Sequence, residues 1–455
     1  MINNNTITPR KRRKLKVFHI LIILFFVGVA AFVYFRISLR WKLQARIDAI
    51  RSAGYPVTCA ELDRWYTIPE DAENTAYTII DAFSYYQQWN SEELKSMPLV
   101  GRAELPARTE PLAEETKALV GQYIADNNEA LELLHAGAAI EHCRYPIDFS
   151  AGFAIMVPDL ANIRRGAMLL NLEAVLHAES GEAALATRSV ISGFGLARSL
   201  AKEPLIVSQL VCAACQALAI STLERIINRA EFTDEQLVEL DECIYNTERI
   251  SDISCGFVGE RCMMSNFFTA PETVSPSHFD GIPPAPVLEL YKALGLADMG
   301  AIIYLDVIDG YLKTIQLPLH QRQEAAKAIE GKIRATSKFH ILLHKLTPSF
   351  SRTITVDIRR IAHLRTARVA LAVERYRLAF GKLPDTLADL VPTYLEAVPK
   401  DPFDGDELRY KKLQEGFVVY SVGEDQSDDG GKEQPPRNQR RGKSPNWDVT
   451  FIVER

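Results

Sequence analysis

A run of nineteen residues near the N-terminus, Val17–Phe35, constrains this chain more than any other feature. The run is apolar apart from His19. A helix of that length spans about 30 Å, the thickness of the hydrocarbon core of a bilayer. Six basic residues precede it: Arg10, Lys11, Arg12, Arg13, Lys14 and Lys16. The sequence therefore predicts a transmembrane helix at residues 17–35, preceded by a basic tail at residues 1–16.

The same basic residues predict how the chain is oriented. Lys and Arg are enriched on the cytoplasmic side of membrane spans. The N-terminus is therefore expected in the cytoplasm, and the chain beyond Arg36 outside it, held at the inner membrane. Arg36, Arg40 and Lys42 follow the span and reduce this asymmetry. A cleaved signal peptide is the alternative, but its apolar core is usually shorter and ends at a small-residue cleavage site. Here large apolar residues follow Ala30-Ala31, which favours an uncleaved anchor.

The composition of the remaining chain bounds its function. After residue 36 there are 45 basic and 58 acidic residues, a net charge of −13. A chain of that charge has no bulk affinity for nucleic acid. The 47% hydrophobic content of the whole chain is typical of a globular protein with a large core.

Most of the chain shows the apolar spacing of amphipathic helices, so the fold is predicted to be mainly α. The clearest signals are Asp159–Glu179, Glu182–Lys202 and Leu205–Arg229, whose short connections predict neighbouring helices. The segment HAESGEAALATRSVISGFGLARSLAKEP resembles a tetratricopeptide-type hairpin. A strict 34-residue period is missing, so residues 36–350 are expected to form irregular helical hairpins.

Other elements are predicted from caps and breaks. Thr58 and Glu61 have the spacing of a capping box, and Gly54 is expected to end the helix that follows the span. Further helices are predicted at Ser38–Ala53, Asp71–Tyr86, Thr233–Asp252, Val287–Leu294, Gly300–Gln316 and Gln321–Leu346. Loops are predicted at Asn90–Pro111, Pro271–Pro286 and Pro348–Thr355.

The last hundred or so residues, 351–455, predict a small α+β domain. Apolar residues at helical spacing from Ile361 to Leu378 indicate one long helix, and Gly381 supplies its stop signal. Pro384 is expected to open a short second helix. Three strands are predicted at Leu408–Lys411, Phe417–Val422 and Val449–Val453.

Three ordered segments of this region, ERYRLAFGKLP, LADLVPTYLEAVPKDPFDG and VVYSVGEDQSDDGG, resemble the C-terminal domain of the major (G-type) pseudopilin of type II secretion. The resemblance implies a pseudopilin-like fold and a link with a type II secretion-like machine. True pseudopilins carry a prepilin-peptidase site, with Glu at the fifth position of the apolar run. Here Gly28 lies inside the span and no such Glu follows it. Polymerisation into a pseudopilus is therefore not expected.

The resemblance also implies a calcium site in the last loop. Carried over by position, the ligands are Asp425 and Asp448, with Asp428 and Asp429 in the loop between them. Calcium takes 6–8 oxygen ligands from flexible loops, so four carboxylates and two glycines suit it. The alternative is a solvated acidic turn. The departures from the family pattern are Glu424, Gln426 and a basic insert, Arg437–Lys443.

Three other groups of residues are candidates for a metal-binding or catalytic site. His340 and His344 share a helix face, but Ile341 stands where a zinc hydrolase needs Glu. Cys212 and Cys215 form a C-x-x-C pair inside an apolar helix, where packing is the simpler role. Glu141, His142 and Cys143 could hold a nucleophile and a base, but adjacency in sequence does not show that.

Together these patterns predict a membrane-anchored envelope protein with a protein-interaction or scaffolding role. Helical hairpins leave concave surfaces suited to partner proteins. The alternative is an envelope hydrolase with its site in the helical region. Cys255 and Cys262 are the nearest candidates for a disulfide by separation. Catalytic residues are not assigned.

Overall fold

The computed structural model describes residues 9–90, 92–149, 160–269, 284–336, 350–435 and 447–455. The fold is mainly helical, with one small sheet near the C-terminus. The helices are α1 (Pro9–Ser52), α2 (Cys59–Trp65), α3 (Thr75–Ser84), α4 (Glu114–Asp126), α5 (Asn128–Ala139), α6 (Leu160–Glu179), α7 (Ala183–Arg198), α8 (Ile206–Ile227), α9 (Asp234–Ile250), α10 (Ser254–Thr269), α11 (Ala285–Ala293), α12 (Leu296–Ile315), α13 (Leu319–Ala335) and α14 (Phe350–Phe380). The strands are β1 (Arg409–Lys412), β2 (Phe417–Ser421) and β3 (Val449–Val453).

Helix α1 joins the predicted span and the predicted helix after it into one element of 44 residues. Every residue of Val17–Phe35 is exposed. From Arg36 onwards the helix packs on the body, where Leu39 is buried and Leu43 is half-buried. Gly54 ends this part of the chain in the left-handed region, at φ +82°, as the sequence predicts. The apolar segment is long enough to cross a membrane.

Two helix starts follow from capping boxes. Thr58 accepts a hydrogen bond from the N–H of Glu61, and the Glu61 carboxylate accepts one from the N–H of Thr58. Thr233 and Gln236 do the same at the start of α9. Each box satisfies backbone N–H groups that a helix end otherwise leaves without partners. The first box confirms the sequence prediction.

Helices α6, α7 and α8 pack on one another and form the centre of the body. Helix α8 is apolar and long enough to pass as a second membrane span, but it is mostly buried among these neighbours. Small residues allow the close approach: Gly195 lies against the backbone of Ala138, and Gly166 against Leu196. Helix α8 is therefore a core helix of the folded body.

The sheet is antiparallel in the order β1-β2-β3. Its inner face, with Phe417, Val419 and Phe451, packs on α14. The same hydrophobic cluster contains residues of α6 to α9, and Asn228 of α8 donates a hydrogen bond to the carbonyl of Ile452. The sheet thus shares a core with the helices. Whether residues 351–455 form a separate domain stays a prediction.

Several predicted boundaries were wrong. Helix α14 begins at Phe350, so residues 350–355 are helix where a loop was expected. The short helix after Pro384 is one 3₁₀ turn, Leu387–Leu390, closed by a Thr386–Asp389 capping box. Helix α3 starts at Thr75 after an Asn74 cap, four residues later than predicted. The expected loop at 271–286 lies mostly outside the described residues, and α11 begins at Ala285.

Helix α10 was missed altogether. Its sequence, SCGFVGERCMMSNFFT, has no clear polar face and contains two glycines. The helix also excludes the Cys255–Cys262 disulfide. Residues seven apart on one helix lie about 10 Å apart along its axis, whereas bridged Cα atoms lie within about 7 Å. Both thiols are buried and reduced.

The Gly259→Ala substitution in α10 should destabilise the fold strongly. A Cβ at this position would lie 1.6 Å from the carbonyl oxygen of Pro204, so the backbone must shift. We expect the free energy of unfolding of the full chain in detergent to fall by about 1–3 kcal/mol or more. Gly331→Ala in α13 is the matched control, because its Cβ would meet no atom within 4 Å; it should be neutral or stabilising by up to about 1 kcal/mol. Equal effects would contradict the described packing of α10.

Candidate functional site

The acidic loop, for which the resemblance implies a calcium site, is held by hydrogen bonds between its own backbone and the side chain of Asp448. The buried Asp448 carboxylate accepts hydrogen bonds from the N–H groups of Gly431 at 2.7 Å, Lys432 at 3.2 Å and Asp429 at 3.4 Å. Burial raises the pKa of Asp448, and the nearby Asp429 carboxylate adds to that rise, while the N–H bonds oppose it. Asp448 therefore ties the loop to the start of β3.

Two further predicted calcium ligands, Asp425 and Asp428, accept hydrogen bonds within local turns. The Asp425 carboxylate accepts from the N–H of Ser427 at 3.2 Å, and the Asp428 carboxylate from the N–H of Gly430 at 2.9 Å. Among the described residues, no three Asp, Glu, His or Cys side chains form a group that could hold a metal ion. As placed, the four aspartates do not form a calcium cage. The calcium site stays a prediction, and the basic insert lies largely outside the described residues.

A second carboxylate, Asp401 of the DPFDGD turn, holds the same end of the sheet through β1 and β2. Its side chain is fully buried and forms an ion pair with Arg409 at 2.8 Å. It also accepts from the hydroxyl of Ser421 and from the N–H groups of Phe403 and Val422. Each lone pair thus has a donor, as a buried charge requires. The role of this motif is structural.

The cysteine candidates are buried. Burial raises the pKa of Cys212 and of Cys215 to about 12, so both thiols stay protonated within the core of α8. The pKa of Cys143 is also raised, chiefly by burial and then by the Glu203 carboxylate. A nucleophilic cysteine needs a lowered pKa, so Cys143 is unsuited to that role. His340 and His344 lie outside the described residues.

Sequence reasoning missed an acid in the interior, Glu203. It lies in the turn between α7 and α8 and is 0% exposed. One carboxylate oxygen accepts a hydrogen bond from Ser208, and the other has no hydrogen-bond partner among the described residues. Burial raises its pKa to about 7. The available signal was an acid directly before Pro204, between two apolar helices.

A small cavity lies beside this acid. It has a volume of about 180 Å³, and its lining includes Tyr66, Cys143, Ser199 and Lys202. The charge of Glu203 contributes to raising the pKa of the buried Tyr66, whose hydroxyl also has no hydrogen-bond partner in the described part of the chain. Perturbed groups beside a cavity are the usual mark of a functional site, although Glu203 itself does not line the cavity.

A wide, open groove runs between α9, α14 and the segment Pro392–Lys400 and has a volume of about 810 Å³. Two ion pairs lie in it: Arg365 with Glu248 at 2.7 Å and Arg368 with Asp241 at 2.8 Å. The Arg368 guanidinium also lies over the ring of Tyr245, at 4.6 Å. The groove is wide and offers a half-exposed aromatic ring with rigid charges beside it.

Helix α1 meets α12 at the end of the body that adjoins the apolar segment. Arg36, the first residue after the apolar run, pairs with Asp298 at 2.8 Å, with both side chains mostly buried. Ten residues further along α1, Arg46 pairs with Asp306 at 3.0 Å. Because both pairs advance in the same direction, α1 and α12 run parallel. The start of α12 therefore lies where α1 emerges from the predicted span.

Comparison of the chain with models of known protein families, with curated proteins and with solved structures found no match. The pseudopilin and tetratricopeptide resemblances therefore rest on sequence motifs alone.

Replacing Asp448 with Ala should destabilise the protein whether or not calcium is present. The change leaves three N–H groups without their acceptor, which costs about 1–3 kcal/mol. We expect the thermal midpoint to fall by the same amount in calcium and in chelator. Asp428→Ala, at an exposed position, is the control and should have a smaller effect. If calcium instead raises the midpoint of the parent and Asp425→Ala abolishes that rise, the loop binds the metal.

The raised pKa of Glu203 predicts a pH dependence of stability. The ordinary value is 4.5 and the folded value is about 7, so the folded protein keeps a proton that the unfolded chain has lost. The free energy of unfolding must therefore fall as pH rises between these values. Glu203→Gln, which imitates the neutral acid, should match the parent near pH 4 and exceed it by roughly 3 kcal/mol at pH 8.

The control for this experiment is Glu115→Gln, at an exposed position of α4. Its unfolding curve should follow that of the parent at every pH. Burial also raises the pKa values of Glu224 and Glu260 to about 7, so the Glu203→Gln protein keeps part of the slope. Parallel pH profiles for the parent and Glu203→Gln would show that Glu203 is not buried as a neutral acid.

Proposed function

We propose that this protein is a single-pass inner-membrane protein with a cytoplasmic N-terminus, whose extracytoplasmic helical body docks other envelope proteins. One observation carries the proposal. Every residue of the apolar segment Val17–Phe35 is exposed, and the same helix then packs into the body without a break. An exposed run of nineteen residues, all apolar except His19, is unfavourable in water, and a bilayer removes that cost.

The connection between anchor and body supports a fixed orientation. Leu39 of α1 is buried against the body, and the side chains of the Arg36–Asp298 pair are mostly buried. A helix that continues from the membrane into a packed core cannot swivel as a flexible linker would. The anchor would therefore present the same face of the body to partners at all times.

The groove between α9 and α14 is the favoured docking surface. It is broad and open, and Tyr245 at its edge is 40% exposed. Tyrosine and arginine are the side chains that most often anchor protein interfaces. The ion pairs of Arg365 and Arg368 hold these groups in place before a partner arrives, which lowers the entropy cost of binding.

A role as an accessory part of a type II secretion-like machine has less support. That role needs the pilin-like helix to be available for docking. Helix α14 instead contacts α8, α9, α13 and the sheet, and most of its middle residues are buried. The helix would have to leave the body to pack against another pilin-like subunit.

An envelope hydrolase is the second candidate, and Glu203 favours it. A carboxyl group with a pKa of about 7 suits general acid–base chemistry near neutral pH. The adjoining cavity of about 180 Å³ is smaller than the usual range of ligand pockets. It lacks a candidate nucleophile with a lowered pKa, since the pKa of Cys143 is raised. We therefore place docking ahead of hydrolysis.

The membrane anchor predicts a specific fractionation behaviour. The full chain should remain with membranes at high salt and high pH and leave them only in detergent, with its intact mass retained. Removing residues 17–35 should release the protein. A C-terminal reporter active only outside the cytoplasm should give a signal. A soluble product that lacks its first thirty or so residues would instead show a cleaved signal peptide.

The docking groove predicts a site-specific contact in cells. A photo-crosslinking amino acid at Tyr245 should give a discrete protein adduct. The same group at Tyr77 of α3, which is 64% exposed and lies outside the groove, should give none. Adding Arg368→Ala should weaken the adduct, because Arg368 lines the groove next to position 245. Equal labelling at both positions, or none at Tyr245, would remove the groove as the docking surface.

A further inference from the structure

Helix α11 exposes an apolar face that no other described segment of the chain covers. Val287, Leu290 and Leu294, at the end of the helix, are 50%, 59% and 46% exposed. Their spacing of three and seven residues places them on one side of the helix. On the adjacent face Leu288 and Tyr291 are buried, at 3% and 8% exposed. The helix therefore packs through one face and presents a second apolar face outwards.

This face lies beside the exit of the anchor. Gly295 directly follows Leu294 and turns the chain into α12 with φ +83°. A Cβ on Gly295 would lie 2.3 Å from the Arg36 guanidinium, so the two residues are in contact. Arg36 is the first residue after the apolar run. The C-terminal end of α11 therefore lies at the level where α1 leaves the predicted hydrocarbon core.

Side chains typical of a membrane interface surround the same level. Tyr34 and Trp41 of α1 are each 76% exposed, and these two residue types are enriched where a protein crosses the headgroup region. Arg40 and Lys42 are exposed beside them and can meet lipid phosphates. On α11 itself the polar residues Glu289 and Lys292 avoid the exposed apolar stripe. Both features fit contact with a bilayer surface.

We propose that α11 is a second membrane contact, an interfacial helix that lays Val287, Leu290 and Leu294 into the outer headgroup boundary next to the anchor. Such helices insert their apolar face by about 5–10 Å. Two contacts at one level, α1 and α11, fix the tilt of the body as well as its height. The proposal rests on the membrane anchoring proposed above, and it names a surface lipid contact that a single span does not require.

The test places a tryptophan on this face. The full chain with Leu290→Trp is reconstituted into nanodiscs of ordinary or bromine-labelled phospholipid, and the emission of the parent protein is subtracted. Bromine quenches only nearby tryptophan, so a residue inserted at the headgroup boundary should lose a clear part of its added emission in the labelled discs. Leu185→Trp on α7 is the matched control, since Leu185 is 41% exposed and α7 does not pack on α11. Its added emission should be unchanged.

The result separates failure of the proposal from failure of the anchor. If the parent does not co-elute with the discs, the membrane anchoring itself is wrong. If it co-elutes but Leu290→Trp and Leu185→Trp are quenched equally little, α11 does not touch the bilayer, and its face is available to a protein partner. A second position, Leu294→Trp, should repeat the result for Leu290→Trp, and its disagreement would also overturn the proposal.

Discussion

The pairing of Arg36 with Asp298 is the interaction on which the arrangement of this protein depends. It joins the first residue after the apolar run to the start of α12, 262 positions later in the chain. Both side chains are mostly buried, so removing one partner would leave the other charge buried without compensation. This contact fixes the exposed apolar part of α1 to the folded body.

The body that follows is held by polar groups at its turns as much as by its apolar core. Asp401 and Asp448 bind the backbone at the same end of the sheet, Asp401 at Val422 and Asp448 in the loop before β3. Asn228 and Arg455 join the last strand and the C-terminus to the helices. The segments that resemble a pseudopilin are therefore built into the helical core rather than appended to it.

The sequence predicted what local chemistry decides. The capping box at Thr58, the glycine stops at Gly54 and Gly381, and the three strands follow from residues close together in the chain. Helix α10 could not be predicted, because its glycines and its mixed apolar face make sense only against Pro204 and α12. The same limit applies to the sites. The sequence brings four aspartates into one loop, but it does not show which oxygens the backbone already uses.

Glu203 and α11 are further features whose properties the sequence does not reveal. An acid before a proline and a short apolar helix are both unremarkable in sequence. Burial gives Glu203 a pKa of about 7, and the position of Gly295 beside Arg36 places α11 next to the anchor. Both properties arise from contacts between distant segments. The proposed function therefore depends on where surfaces lie relative to the apolar segment, more than on any short motif.

The central claim is that α1 runs as one unbroken helix from the membrane anchor into the folded body. Amide hydrogen exchange of the full chain in nanodiscs tests it most directly. We expect slow exchange to continue without interruption from residue 17 to about residue 50, because every N–H in that range is bonded within α1. Fast exchange confined to residues 35–39, between two protected segments, would show a hinge and contradict the account.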